Sequence, residues 1–294
     1  MTTSTASNIQ NATKLDLLWL ELTARCNLHC LHCYADSHPG LPLDTGMNCS
    51  EWSRVISDAH TLGCESIQFI GGEVLLVPYL RDLILHARRI GIGSIEVFSN
   101  ATLLDNDTID FFEDHSVRVA TSFYCHDAEI HDRITNRSGS WRKTLLSIDR
   151  LQQRGLEFRV GIIEMDANRP YITETVAFLQ ERGIASVGVD RARAFGRATN
   201  LTARPSDLSE LCGHCGHRRV CVSASGDIYP CIMSRSVRLG SVYETNLADV
   251  LRSSSLASFR QELLVAKNYT QAACMPHCWP NGGCSPHDAC RPDK

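Results

Sequence analysis

The chain has 294 residues, 43% of them hydrophobic, and a formal charge of −4, enough for one large domain or a large and a small one. No run is long and apolar enough to span a membrane, and the mild acidity offers no basic patch for nucleic acid, so neither partner is expected. Residues 1–14 are polar and small, without the basic start and apolar core of a secretory signal, and read as a disordered tail; the fourteen cysteines are therefore expected to ligate metal in a reducing cytoplasm.

The first strand-like run, 15–23, leads into Cys26-Asn27-Leu28-His29-Cys30-Leu31-His32-Cys33-Tyr34. Three cysteines at Cys-x3-Cys-x2-Cys suit a [4Fe-4S] cube, which normally takes four thiolates, so one iron would lack a protein ligand. An open metal position usually means chemistry. A zinc knuckle and a disulfide with a spare thiol are the alternatives, and neither accounts for Gly71-Gly72-Glu73 further on.

From 15 to 190 short apolar strands alternate with helical stretches. The strands are expected at 17–23, 66–70, 94–98, 117–124, 157–163 and 186–189, and the helices near 50–62, 79–90, 107–114, 141–154 and 171–182. Gly63, Gly91, Gly155 and Gly183 end helices, and Arg89, Arg154 and Arg182 suit the negative helix end just before three of them. Such alternation predicts a parallel sheet with right-handed crossovers, and six βα units are too few for a closed eight-stranded barrel. Ligands bind such sheets at the carboxyl ends of strands. The cysteine loop, Gly71-Gly72-Glu73, Ser99-Asn100 and Ser122 follow the first four strands there, and Arg191, Arg193 and Arg197 follow the sixth. Three arginines at the rim suggest an anion site, with a solvated face as the alternative.

After Thr199 the alternation stops. Cys212-x2-Cys215-x5-Cys221 leads to Gly226-Asp227-Ile228-Tyr229-Pro230-Cys231, which reads as a hairpin, and the chain closes on Cys274-x3-Cys278-x5-Cys284-x5-Cys290. A proline- and glycine-rich tail of this kind cannot build a core without a metal staple.

The cysteine loop followed one βα unit later by Gly71-Gly72-Glu73 resembles the radical S-adenosylmethionine (SAM) superfamily. That resemblance implies an α/β fold: a six-stranded partial (β/α) barrel over 15–199, open on one side, with a small cysteine-rich C-terminal extension over 200–294. It implies that Cys26, Cys30 and Cys33 hold a [4Fe-4S] cluster whose open iron is chelated by the amino and carboxylate groups of SAM. Tyr34 matches the aromatic position after the last cysteine. Gly71, Gly72 and Glu73 would receive the methionyl amino group, with Val74 in place of the usual proline. Ser99 and Asn100 match a small polar pair near SAM, and Ser122 a contact to its carboxylate or ribose. The 125–135 stretch resembles one in peptide-modifying members, where Arg133 would anchor a carboxylate, a surface arginine being the alternative. Arg191 joins the cofactor-binding set.

The later cysteines resemble the SPASM extension of these enzymes. Cys212, Cys215, Cys221 and Cys231 match its start. Cys274, Cys278, Cys284 and Cys290 match its close, while departing from Cys-x2-Cys-x5-Cys-x3-Cys. One or two auxiliary [4Fe-4S] clusters are implied, with zinc alone as the alternative.

The implied activity is reductive SAM cleavage and hydrogen-atom abstraction. The first expectation is a maturase that epimerises or crosslinks a ribosomally made peptide in natural-product or antibiotic biosynthesis. The second is an epimerase or dehydrogenase of an aminoglycoside or sugar, and the third a non-catalytic iron–sulfur or zinc scaffold. A flavodoxin or ferredoxin would supply electrons. The short segment before the first strand leaves no room for a fused leader-peptide-binding domain, so a separate partner protein is expected to bind the leader. In an epimerase, Cys125 is the candidate hydrogen-atom donor, because a buried neutral thiol keeps its proton. A spare thiol among Cys215, Cys221 and Cys231 competes, and the alternative is that Cys125 is a small buried turn residue.

Overall fold

A computed structural model describes residues 14–43 and 46–267. Six strands run parallel: β1 (Leu17–Glu21), β2 (Ser66–Ile70), β3 (Ser94–Phe98), β4 (Arg118–Ser122), β5 (Phe158–Glu164) and β6 (Val187–Arg191). The helices between them are α1 (Cys49–Thr61), α2 (Leu80–Arg89), α3 (Asn106–Asp114), α4 (Ala128–Thr135), α5 (Ser140–Arg154) and α6 (Ile172–Glu181). This is the parallel α/β sheet that the alternation predicts.

The sheet does not stop at β1. Strand β7 (Arg219–Val222) pairs parallel with it, and β8 (Asp227–Tyr229) and β9 (Gly240–Ser241) follow antiparallel, giving the order β6-β5-β4-β3-β2-β1-β7-β8-β9. The expected hairpin is therefore present as β7 and β8, docked on the barrel rather than standing apart. Its outer face explains why: Val220 and Val222 join Leu18 and Leu20 in one core. Helices α7 (Leu247–Arg252) and α8 (Ser254–Ala266), unforeseen in a segment dominated by cysteine signals, bury Leu251, Leu256, Phe259 and Leu263 in the same core. None of the described helices is long and apolar enough to cross a membrane.

Strand alternation divides the sheet into two faces. Leu18, Leu20, Ile67, Phe69, Ile95 and Val97 face outward onto the helix layer with Trp52, Ile56 and Leu83, all nearly fully buried. Trp19, Glu21, Gln68, Glu96 and Arg159 face the barrel interior, where Arg159 forks onto the Glu96 carboxylate at 3.0 and 2.8 Å. Local signals fix the helix ends. Asn48 and Glu51 form a reciprocal capping box on α1. Asp127 caps α4 and Asn136 closes it in a left-handed turn. The Asp132 carboxylate, on α4, then accepts Ser140 Oγ at 2.8 Å and Trp141 N–H at 2.7 Å, joining the end of one helix to the start of the next.

Candidate active site

The loop from Cys26 to Tyr34 lies across the carboxyl ends of β1 and β2 and is held from three sides. From β2, Gly72 N–H donates to Thr23 C=O (2.7 Å) and Glu73 N–H to Arg25 C=O (2.9 Å). A Cβ at Gly71 (φ 146°) would lie 2.5 Å from Thr23 O, and one at Gly72 would lie 2.2 Å from Arg25 O. These glycines let one backbone rest directly on another. From α4, the carbonyls of Ile134 and Thr135 at the helix end accept Leu31 N–H (2.9 Å) and His29 N–H (3.1 Å). From beyond β6, Arg197 donates Nε to Cys30 O (2.9 Å), Nη2 to Ser37 O (2.7 Å) and Nη1 to Asp36 (2.8 Å), while its own N–H reaches Cys33 O (3.0 Å). A Cβ at the preceding Gly196 would lie 2.4 Å from Cys33 O.

The loop borders a cavity of about 250 Å³. Cys26, Cys30, Cys33 and Tyr34 form one wall. Gly71, Gly72, Asn100 and Ser122 at the strand ends form another, and Ile232 and Met233 close over it. Glu73 is fully buried beside the cavity without lining it. Its carboxylate accepts Ser99 Oγ (2.7 Å), Asn100 N–H (2.9 Å) and Leu75 N–H (3.0 Å), so it ties the ends of β2 and β3 together. Asn100 Nδ2 in turn reaches Asn27 Oδ1 (2.8 Å) and Cys26 Sγ (3.7 Å).

Burial pushes the Cys26 thiol up to about 12 and raises Cys30 as well, a situation that a bound cation reverses. His32 also lines the cavity; burial holds its ring neutral, down at about 4, and its buried Nδ1 has no hydrogen-bond partner among the described residues. Three thiols, an orphaned polar nitrogen and strand-end backbone around one hollow fit a cluster with a small polar ligand on it. Among the described residues no three His, Cys, Asp or Glu side chains converge as they would on a single metal ion.

A model of the radical SAM superfamily matches residues 20–186, more than half of the chain. The chain belongs to the radical SAM superfamily. A second model, the SPASM iron–sulfur cluster-binding domain, matches residues 210–279. Membership brings a SAM-binding [4Fe-4S] cluster and auxiliary iron–sulfur clusters with it. The chain is 26% identical over 188 residues to an AdoMet-dependent heme synthase of Oleidesulfovibrio alaskensis (64% of this chain, 48% of that protein). It is 21% identical over 267 residues to AlbA, the antilisterial bacteriocin subtilosin biosynthesis protein of Bacillus subtilis (79% and 58%). It thus spans about half the length of the curated relatives it matches. The structure of Streptococcus suis SuiB bound to S-adenosylmethionine superposes with a TM-score of 0.69 at 16% identity, covering 84% of this chain and 68% of that one, which establishes the shared fold.

Several expected site residues of this radical SAM chain lie elsewhere. Cys125 is fully buried in a cluster with Tyr124, Ile130, Met165 and Ala192 and does not itself line the cavity. Strand β4 ends at Ser122, and two residues on it is Tyr124 that lines the cavity, with Cys125 packed behind it. Arg133 is exposed on α4, also away from the cavity. Arg191 does line it, but its Nη1 already bonds both Glu210 oxygens (3.0 and 2.9 Å). Arg193 pairs with Asp190 and Arg197 with Asp36, so the expected anion site is instead a set of satisfied ion pairs.

Sequence reasoning missed His32, Tyr124 and Met233. Tyr124 packs edge-on against His32 (centroids 4.8 Å apart) and gives its N–H to the buried His131 Nδ1 (3.2 Å). Its signal was the period of two from Ser122, and that of Met233 its place two residues past Cys231.

The later cysteines also divide. Cys215 Sγ lies 2.8 Å from Cys231 Sγ, and Cys212 is within hydrogen-bond reach of Cys215, whose S–H holds the Cys212 thiol below its ordinary value. Cys221 belongs with the barrel interior. Its neighbours Val220 and Val222 face the core, so its thiol faces Glu21, a buried carboxylate that also accepts from Tyr34 Oη (3.4 Å) and pairs with Arg235. Cys231 is also among the groups that raise the Cys221 thiol. Cys274, Cys278, Cys284 and Cys290 lie outside the described residues.

Proposed function

We propose that this chain reductively cleaves SAM in the 250 Å³ cavity and takes a hydrogen atom from a ribosomally made peptide, as a step in natural-product maturation. The observation that carries the reading is the convergence of Cys26, Cys30 and Cys33 on one cavity with the Gly71-Gly72 backbone, Asn100 and Ser122. Those thiols would hold the SAM-binding cluster. When bound and reduced, the cluster supplies the electron that breaks the sulfonium C–S bond and yields a 5′-deoxyadenosyl radical.

The chain's own residues position and exclude. Gly71 and Gly72 bring backbone to the cavity wall, Asn100 and Ser122 offer polar contacts to SAM, and the neutral His32 ring has a free nitrogen for it. Ile70, Phe98, Ile163 and Met233 keep water away from a reactive radical. Cys212, Cys215 and Cys231 would hold an auxiliary cluster, completed by cysteines of the C-terminal tail. Cys231 is two residues before Met233, so that cluster would stand close behind the cavity wall. The division between barrel and extension falls near residue 199.

The peptide reading is supported by the likeness to AlbA and by the structure of SuiB with its precursor peptide SuiA. The heme synthase likeness favours a small-molecule substrate as the second reading. A cytoplasmic flavodoxin or ferredoxin as electron donor and a separate leader-binding protein complete the proposal. The test is anaerobic incubation with SAM, reductant and any short peptide encoded beside the gene. Epimerisation would leave the peptide's mass unchanged in water and add one deuteron in deuterium oxide. A crosslink would remove two hydrogens. An unmodified peptide, with a small molecule from the same gene neighbourhood turned over instead, would replace the first reading by the second.

A further inference from the structure

Among the described residues the partial barrel leaves one edge of β6 without a neighbour. Strand β6 ends the nine-stranded sheet and pairs on one side only, with β5. The opposite end of the sheet is blunt, because β9 has two residues against five in β6. Ser186 C=O accepts from Val160 N–H (2.8 Å), and Ala192 N–H donates to Glu164 C=O (2.8 Å). A parallel ladder uses alternate residues. Ser186, Gly188, Asp190 and Ala192 therefore face β5, and the N–H and C=O groups of Val187 and Val189 face outward. Among the described residues, only the next outward N–H, that of Arg191, is occupied, by Asp190 Oδ1 at 2.8 Å. No lysine or proline guards the strand, and Gly188 is exposed. Proteins usually blunt an edge of this kind.

A groove runs along this edge. A cavity of about 550 Å³ is lined by all six residues from 185 to 190, and by residues 159–163 of the neighbouring β5. It is the barrel interior, lined also by Gln68, Glu96 and Ser122 of β2 to β4, and it reaches from β6 to Leu17 and Trp19 of β1 and Arg219 of β7. It shares Ile70, Phe98 and Ser122 with the SAM cavity, and the two spaces adjoin. A Cβ at Gly188 would meet nothing within 4 Å, which leaves room for an incoming chain. The Arg219 guanidinium lies 5.9 Å over the Trp19 ring and donates Nε to His217 C=O at 3.4 Å, with no ion pair to an acidic side chain among the described residues.

We infer that an extended peptide segment carrying an acidic residue docks here by adding a strand to β6, and that the groove leads it into the SAM cavity. The inference rests on the peptide reading above. Donors and acceptors that recur at every second residue of a strand are matched by another polypeptide backbone. Arg219 across the cavity holds a carbonyl and an aromatic face but no carboxylate, and its two terminal nitrogens suit one.

The probe is a phage-displayed random dodecapeptide library, selected anaerobically on the reconstituted, SAM-loaded enzyme. Enriched peptides are resynthesised with N-methyl groups at one or the other set of alternate residues. The expected result is a loss of at least tenfold in affinity for one set and little change for the other. Val189→Pro should abolish binding, since it removes an outward N–H and leaves the β5 ladder intact. Arg219→Gln should weaken acidic peptides severalfold and neutral ones little. In the peptide-free enzyme the amides of Val187 and Val189 should exchange rapidly and become protected on binding. Enriched peptides insensitive to methylation and to Val189→Pro would overturn the strand-addition site and leave the peptide reading standing. Slow exchange of both amides in the peptide-free enzyme, with residues 268–294 or a second copy on the edge, would overturn it equally. A library that yields no binder would overturn both.

Discussion

Replacing Arg197 by alanine should loosen the cysteine loop without touching a thiol. The guanidinium is 15% exposed and Asp36 is 70% exposed, so their ion pair contributes about 0–1 kcal/mol. The bonds to Cys30 O and Ser37 O weigh more. Each is a bond from a charged donor, worth about 1.5–3 kcal/mol, and both carbonyls lose their guanidinium donor in the variant. Together this amounts to about 3–6 kcal/mol of resistance to local opening, equivalent to about 10²- to 10⁴-fold in the opening equilibrium. The assay is amide hydrogen exchange on metal-free protein, read at Leu31 and Cys33, whose N–H groups bond to Ile134 and to Cys30. Both should exchange about a hundredfold faster or more, while β3 and β4 amides keep their wild-type rates. The reconstituted variant should also release its N-terminal cluster to a chelator faster. Arg197→Lys, which cannot reach both carbonyls and Asp36 at once, should fall between. Unchanged exchange at Leu31 and Cys33 would refute the reasoning.

Three further outcomes follow from the geometry. Gly72→Ala drives a Cβ against the Arg25 carbonyl and should cost about 1–3 kcal/mol in denaturant unfolding, with less iron bound at the first loop; a neutral change would show that the two backbones do not rest on each other. Cys231→Ala should remove auxiliary iron and Cys221→Ala should leave it, as metal analysis of each purified protein will tell. Burial lowers His131 to about 4, so the unfolded chain binds its proton first as pH falls. Stability from this group is complete above about pH 6.5 and declines toward pH 4, by a total on the order of 3 kcal/mol, and the wild-type-minus-His131→Gln difference in unfolding free energy should show that slope.

The parts legible in the sequence were the local ones. The cysteine spacing, Gly71-Gly72-Glu73 and the strand–helix alternation each announce themselves within a few residues, and they placed the barrel and its mouth. What escaped depends on direction and on long-range pairing. At the end of β4 a one-residue difference separates Tyr124, which faces the cavity, from Cys125, which does not. The same alternation on β7 turns Cys221 toward Glu21, on the face opposite Val220 and Val222. The rim arginines read as free charge because their partners, Glu210 and Asp36, are remote in sequence or unremarkable in type. Nor does any local pattern say that β7 adds to the β1 edge. That follows only from Val220 and Val222 sharing a core with Leu18 and Leu20.

The central claim is that Cys26, Cys30 and Cys33 hold the cluster that cleaves SAM. Its most direct test is 5′-deoxyadenosine formation by anaerobically reconstituted protein, with the triple Cys26→Ala, Cys30→Ala, Cys33→Ala variant beside it. The account predicts 5′-deoxyadenosine from the wild type and none from the variant, which keeps its auxiliary iron. Equal 5′-deoxyadenosine from both proteins would contradict it.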